Sequence, residues 1–478
     1  MLFNSISFAF FLPVVFILYW LVTKNNLKLQ NILLLTASYY FYACWDYRFL
    51  FLLIFSTLLD YYTGIKMYEA KVKRSKVFWF WLSICVNLGF LGIFKYYNFF
   101  IGSFADSLSL IGLKTNFWSL QVILPVGISF YTFHGLSYVI DIYKDRIKPE
   151  RSFVDYSVFV SFFPLLVAGP IERATHLLPQ IIKKRNFNYE LAVDGLRQML
   201  WGFFKKMVIA DNCAVYVNDI FAHSSTYSGS TIAMGVLLFT FQIYCDFSGY
   251  SDIAIGAGKL FDIQLMRNFN FPYFSRDIAE FWRRWHISLS SWFKDYVYIP
   301  LGGSKGTSWM KVRNIFIIFL LSGLWHGANW TFVTWGLINA IYFLPLLLLN
   351  KNRSHLDIIA QGKLFPGITE LRKLIVTFLL ANFAWIFFRS ESNYQAFEII
   401  GKIFSISLFE PLNVKGSLPI FILILFMVAA EWLQRDKQHA LQFEPCTNRY
   451  LKYSVYILIA FSIIFLQGRQ LGFIYFQF

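Results

Sequence analysis

The chain has 478 residues, of which 57% are hydrophobic, 21% aromatic and only 15% charged, with a formal charge of +16. Soluble domains carry about 25% charged residues, and a soluble chain of this length usually divides into two or three of them. The apolar residues instead gather in long uncharged runs and the basic residues in short stretches between them, which excludes both a soluble multidomain enzyme and a nucleic-acid-binding surface and points to a polytopic membrane protein.

Residues 1–23 are uncharged and lack a basic leader or a small-residue cleavage site, so they read as a retained first helix. The segment 66–76 holds Lys66, Lys71, Lys73, Arg74 and Lys76 against Glu69 and is assigned to the cytoplasm. Counting back three spans places the N-terminus outside. Uncharged runs follow at 77–94, 115–140, 224–245 and 328–350, each near or above the roughly 18 residues needed to cross a bilayer. The basic stretches 144–151, 351–373 and 435–452 are assigned inside, the sign-balanced segment 389–415 outside, and the C-terminus outside. Residues 156–171 are expected to dip into the membrane and return. Shorter runs at 374–388, 416–430 and 453–468 bring the expected total to roughly 11 to 13 membrane segments. The expectation is one all-α domain over residues 1–478, a transmembrane helical bundle with re-entrant or interfacial helices. Cys44, Cys85, Cys213, Cys245 and Cys446 have no metal-ligand spacing and read as small buried hydrophobes; no metal site is expected.

Three features carry chemistry. Between Arg313 and Lys351, His326 is the only side chain that titrates near neutrality. A single helix over those 37 residues would be about 55 Å long, so the run must break. Gly323 and Gly327 bracket Leu324-Trp325-His326 and mark the break, giving a hairpin of arms 314–325 and 328–349 with His326 at its tip. An ionisable group at that depth faces a bundle interior or a cavity. On its residues alone it reads equally as a neutral packing histidine or as a functional one. His286 lies 40 residues earlier in Phe281-Trp282-Arg283-Arg284-Trp285-His286, a segment whose mixed aromatic and basic residues over 281–298 suggest an interfacial helix. The stretch Asp246-Phe247-Ser248-Gly249-Tyr250-Ser251-Asp252 packs two carboxylates and three hydroxyls behind an uncharged span. Read together, these describe a polar pocket at a membrane-embedded histidine able to deprotonate an attacking hydroxyl.

Five segments, LPVGISFYTFHGLSYVIDIY (124–143), FFPLLVAGPIER (162–173), QIYCDFSGYSDIAIG (242–256), FWRRWHISLSSWFKDYVYIPLGG (281–303) and SGLWHGANWTFVTWG (322–336), resemble the membrane-bound O-acyltransferase family. The likeness is strongest to a bacterial branch that acetylates alginate, and it extends from FNSISFAFFLPVVFILYW near the start to the closing FIYFQF. It implies a multi-helix fold around a funnel or tunnel, with His326 and His286 as the catalytic histidines. Trp325, Asp246, Ser248, Tyr250, Asp252, Arg283, Trp285 and Asn329 are the candidate supporting residues. It further implies cytoplasmic acetyl-CoA or another acyl thioester as donor, with no covalently bound cofactor. The acceptor would be an exported or envelope polysaccharide, reached directly or through an SGNH-type periplasmic partner, and the location the bacterial inner membrane. His134 reads as a polar packing residue. D-alanyl transfer, a proton-relaying transporter and a non-catalytic scaffold are the competing readings.

Overall fold

The computed structural model describes every residue except 25, 114–118, 121–122, 168, 414–415, 445 and 475–478. The described residues are helical and contain no strand. Part of the expected span at 115–140, and the end of the chain assigned outside, lie outside the described residues. The chain divides into two compact units, Met1–Ala192 with Gly258–Met266, and Val193–Ala257 with Arg267–Phe478.

The first unit contains α1 (Ile6–Ile17), α2 (Leu27–Ala43), α3 (Tyr47–Glu69), α4 (Lys73–Leu91), α5 (Tyr97–Leu110), α6 (Ile128–Tyr143), α7 (Phe153–Ser161) and α8 (Ala174–Ile182). Its helices bury a set of polar residues among apolar ones and expose large apolar side chains. Asp60 of α3 is buried and accepts hydrogen bonds from Ser83 Oγ (2.6 Å) and Asn87 Nδ2 (2.7 Å) of α4. Asn31 of α2 is buried and donates to Asp155 Oδ1 at 2.7 Å. Phe10, Phe51, Trp81 and Leu110 stand exposed. In water such a surface would be an aggregation patch; in lipid it is the favourable one, and the buried polar groups join the helices. His134 is a packing residue as expected: its Nε2 accepts the Glu172 backbone N–H at 3.1 Å, and it is buried. α7 has nine residues, about 14 Å, too short to span, and the chain turns at Phe162.

The second unit contains most of α9 (Tyr189–Phe203) and α11 (Gly229–Leu260), with α10 (Asp211–Ala222), α12 (Ile278–Arg284), α13 (Ile287–Phe293), α14 (Ser308–His326), α15 (Trp330–Leu348), α16 (Ile368–Arg389), α17 (Asn393–Ile403), α18 (Leu418–Leu433) and α19 (Arg449–Phe465). α9 and α11 meet through glycines. A Cβ on Gly202 would stand 2.6 Å from Gly249 O, and one on Gly249 would stand 2.8 Å from Gly202 O. Such close backbone approach is how small residues pack membrane helices.

Five helices among the described residues are long and apolar enough to cross a membrane: Tyr47–Glu69, Lys73–Leu110, Gly229–Leu260, Trp330–Leu348 and Ile368–Arg389. Ile6–Val22 and Leu418–Leu433 are shorter apolar helices. Three expectations change. The segment 281–298 is not one interfacial helix: it breaks at Trp285–His286, and Phe281, Arg284, Trp285, Trp292 and Phe293 are buried. Arg284 can be buried because Glu280 accepts from its Nη2 at 2.8 Å. Cys44, Cys85 and Cys446 are exposed, leaving only Cys213 and Cys245 as buried hydrophobes. The stretch 246–252 does not lie behind the uncharged run 224–245 but continues the same helix, well inside α11.

Candidate active site

The hairpin forms where the glycine pattern placed it, with a longer first arm. α14 starts at Ser308, capped by Thr307, whose side chain accepts from Met310 N–H, and runs 19 residues to His326. Gly327 ends it in extended backbone, and Asn329 opens α15 by accepting the Thr331 N–H at 3.0 Å. Asn329 Nδ2 donates to Glu391 O at 2.9 Å, which ties the tip to the end of α16. Gly323 does not break the helix. It lets the arms touch: a Cβ there would stand 3.0 Å from the Phe332 carbonyl carbon, and one on Gly336 would stand 3.0 Å from the Phe319 carbonyl carbon.

His326 is buried in an aromatic box. Its ring centroid lies 5.0 Å from Trp325, 5.1 Å from Trp335 in an edge-on contact at 90°, and 5.1 Å from Phe388. The second histidine reaches the same place, with the His286 and His326 rings 6.5 Å apart and Trp325 5.7 Å from His286. Trp285 extends the box through Trp385 (4.9 Å), which stacks on Trp335 (5.9 Å). Such walls exclude water and strengthen any hydrogen bond made inside them.

His286 sits in a turn clamped by backbone. Asn270 N–H donates to Arg284 O at 2.9 Å and Ile287 N–H donates to Asn268 O at 2.8 Å. His286 itself adopts φ 43° and ψ 53°, a left-handed conformation that costs a non-glycine residue about 1–3 kcal/mol and survives only where the surroundings over-determine it. Its Nδ1 lies 3.0 Å from Asn268 Oδ1. Burial pushes its pKa down to about 3, so the ring is neutral at physiological pH.

The stretch 246–252 serves three faces of α11 through three i,i+4 pairs. Asp246 and Tyr250 face Lys206, whose Nζ is 2.6 Å from Asp246 Oδ1, 2.8 Å from Asp211 Oδ1 and 5.6 Å from the Tyr250 ring centroid. Ser248 and Asp252 face Lys205, whose Nζ donates to Ser248 Oγ at 2.8 Å and pairs with Asp252 Oδ2 at 2.7 Å. Glu431 Oε1 stands 3.9 Å from Lys205 and takes a 2.9 Å hydrogen bond from Tyr244. Phe247 and Ser251 occupy the face toward His286: the Phe247 ring lies 4.6 Å from it, and Ser251 Oγ accepts from Asn268 Nδ2 at 3.0 Å. Lys205 and Lys206 stand in a π-helical segment, Phe204–Ala210, whose widened turn accompanies two consecutive buried lysines on different partners.

The structure therefore gathers His326, His286, Trp325 and Trp285 into one aromatic site. It assigns Asp246, Ser248, Tyr250 and Asp252 to the buried lysines, Asn329 to the α15 cap, and Arg283 to the carbonyls of Asn352 (2.6 Å) and His355 (2.7 Å). Sequence reasoning missed Trp335, Phe388, Asn268, Lys205, Lys206 and Glu431. Adjacent lysines inside the apolar run 201–210 were an available signal; Asn268 gave none. No group of three or more His, Cys, Asp or Glu side chains among the described residues could hold a metal ion.

The sequence model of the membrane-bound O-acyltransferase family matches residues 144–378, which include both histidines. The chain is 39% identical over 407 residues to a probable alginate O-acetylase of Pseudomonas aeruginosa, covering 85% of this chain and 75% of the relative. It is 38% identical over 430 residues to a peptidoglycan O-acetyltransferase of Helicobacter pylori, covering 84% and 79%. A teichoic acid D-alanyltransferase of Bacillus subtilis is 30% identical over 229 residues, 45% of this chain and 57% of the relative.

Proposed function

The chain belongs to the membrane-bound O-acyltransferase family, and from that premise we propose that it moves an acetyl group from cytoplasmic acetyl-CoA to hydroxyls of an exported or cell-envelope polysaccharide. The observation that carries this reading is the placement of His326: a buried imidazole at a hairpin tip, walled by Trp325, Trp335 and Phe388, with a second imidazole 6.5 Å away. His326 acts as general base. It takes the proton of the acceptor hydroxyl as that oxygen attacks the thioester carbonyl carbon; the carbon–sulfur bond breaks and the departing thiolate receives the proton as free CoA. The aromatic box keeps water from competing with the acceptor. The basic segment 66–76 lies in the cytoplasm and both termini lie outside, so the donor enters from within and the acceptor is met on the far side, directly or through an SGNH-type partner.

Acetyl is preferred to D-alanyl because the likeness to the two O-acetylating relatives spans 85% and 84% of the chain, against 45% for the D-alanyltransferase. The test incubates purified protein with labelled acetyl-CoA, D-alanyl carrier-protein thioester or long-chain acyl-CoA and oligosaccharide acceptors, comparing wild type with His326→Ala. Acetyl transfer lost in a His326→Ala protein that still inserts and stays monodisperse is the expected result. Full transfer by that variant overturns the mechanism.

A further inference from the structure

We propose that Asn268 is a positioning residue for this reaction: its amide oxygen fixes the tautomer of His286 so that Nε2 is the ring's acceptor in the site. The inference rests on the acyl-transfer reading above and adds a role for the second histidine.

Asn268 is fully buried. Its Oδ1 accepts from Ser288 Oγ at 2.9 Å, lies 3.0 Å from His286 Nδ1, and receives a longer bond from the Ser288 backbone N–H at 3.4 Å. A backbone N–H can only donate, so the amide atom it faces is the oxygen. Asn268 Nδ2 is thereby turned to Ser251 Oγ, which accepts at 3.0 Å. An amide oxygen carries no proton, so the imidazole nitrogen opposite must supply one. In a neutral ring this leaves the lone pair on Nε2. That atom is buried and has no hydrogen-bond partner among the described residues. A buried acceptor without a protein donor calls for an occupant, and the chemistry it takes is a hydroxyl hydrogen. The reaction's acceptor alcohol has one; a thioester does not. His286 thus holds a second, neighbouring hydroxyl of the polysaccharide acceptor, which leaves the proton of the attacking hydroxyl to His326.

The groups facing His286 leave the assignment to Asn268. α14 brings His326, α13 brings Ser288, and α11 brings Phe247 and Ser251, while Asp246 and Asp252 of α11 are paired with Lys206 and Lys205. The backbone bond from Ile287 N–H to Asn268 O, 2.8 Å, fixes the distance from which the side chain reaches. Aspartate keeps that reach and the accepting oxygen; leucine keeps the volume and has no acceptor.

The experiment measures CoA thiol release from acetyl-CoA by the purified full-length protein, with an oligosaccharide that supports wild-type turnover, across pH 5–9. Asn268→Leu is expected to lower kcat about 100-fold with KM for acetyl-CoA nearly unchanged. Asn268→Asp is expected to retain more activity than Asn268→Leu and to move the acid limb of its kcat profile to higher pH, because a carboxylate favours the imidazolium. Equal losses in the two variants with an unmoved acid limb would mean a merely structural residue and overturn the proposal. A second measurement needs no Asn268 variant. Nitrogen NMR of 15N-histidine-labelled wild type in lipid, with His286 assigned by comparison with His286→Gln, is expected to show a protonated Nδ1 and a bare Nε2; a protonated Nε2 overturns the proposal. If wild type releases no CoA with any acceptor, the acyl-transfer reading falls; if His326→Ala remains active, the general-base role of His326 falls; if His326→Ala is inactive while Asn268→Leu matches wild type, only the role of Asn268 falls.

Discussion

Replacing Gly323 by alanine tests whether the hairpin positions His326 by close backbone contact. The new Cβ would stand 3.0 Å from the Phe332 carbonyl carbon and nearer still to its oxygen, whereas ordinary van der Waals contact begins at 3.4 Å. Both parties are helix backbone, so no side-chain rotation absorbs the overlap. Relief requires α14 and α15 to part by roughly 1 Å, one turn below His326, in an interior packed too closely to yield elsewhere. Overpacking of this kind costs about 1–3 kcal/mol, and a 1 Å misplacement of a reacting group costs about 100-fold in rate. The variant should therefore stay folded with a modest loss of thermal stability and lose activity far out of proportion. Gly336→Ala, whose Cβ would meet the Phe319 carbonyl from the opposite arm, should behave alike. Gly401 in α17 is the control: nothing lies within 4 Å of a Cβ there, and alanine in a helix should leave the protein unchanged or slightly more stable. The assay is initial CoA release by each purified variant, paired with its melting temperature in detergent. A Gly323→Ala protein with kcat within about twofold of the Gly401→Ala control would refute the reasoning.

Lys206→Met should strip two buried carboxylates, Asp211 and Asp246, of the cation they share and destabilise the protein by about 3–5 kcal/mol, with the double variant Lys206→Met/Asp246→Asn partly restored. Melting temperatures in detergent report this, and a single variant that melts with wild type would contradict it. Glu280 gives a pH dependence whose sign follows from its partners. Burial raises its pKa, but hydrogen bonds from Arg276 and the attraction of Arg284 and Arg276 outweigh burial and hold the carboxyl below its ordinary value. A depressed carboxylate pKa contributes stability that is fully present above about pH 4.3 and lost as pH falls through the folded value. The melting temperatures of wild type and Glu280→Gln should thus differ most near neutrality and converge toward pH 3; parallel curves would show that the ion pair is not the cause.

What could be read from the sequence was whatever depends on local pattern. The hairpin was legible because 37 residues without a second neutral-pH titrating group cannot be one helix in a bilayer, and because Gly327 is the cheapest place to turn. The start of its first arm was not, because Lys311 and Arg313 looked like an interface while Thr307 capped the helix a full turn and more before them. Segment 281–298 carried the composition of a surface helix, and Glu280 with the carbonyls of Asn270, Asn352 and His355 makes its arginines tolerable inside. The Glu280–Arg284 pair has i,i+4 spacing and could have been read from the chain, whereas the carbonyl partners of Arg283 are set by tertiary contact.

The stretch 246–252 shows the limit most sharply. Its chemistry-bearing residues drew attention as a group, yet a helix distributes seven consecutive residues over every face. The carboxylates went to Lys205 and Lys206, where a buried charge is tolerable only with a partner. The members that reach the candidate site are Phe247, against the His286 ring, and Ser251, behind Asn268. The i,i+4 spacing separates three faces in the sequence itself: 246 with 250, 247 with 251, 248 with 252. It does not say which face meets a histidine, because that depends on Asn268, a residue whose neighbours in sequence give no reason to single it out. The catalytic candidate was thus legible because burying it in lipid is costly and rare. The group proposed to orient its neighbour was not, because an asparagine acts here only through where the fold holds its oxygen.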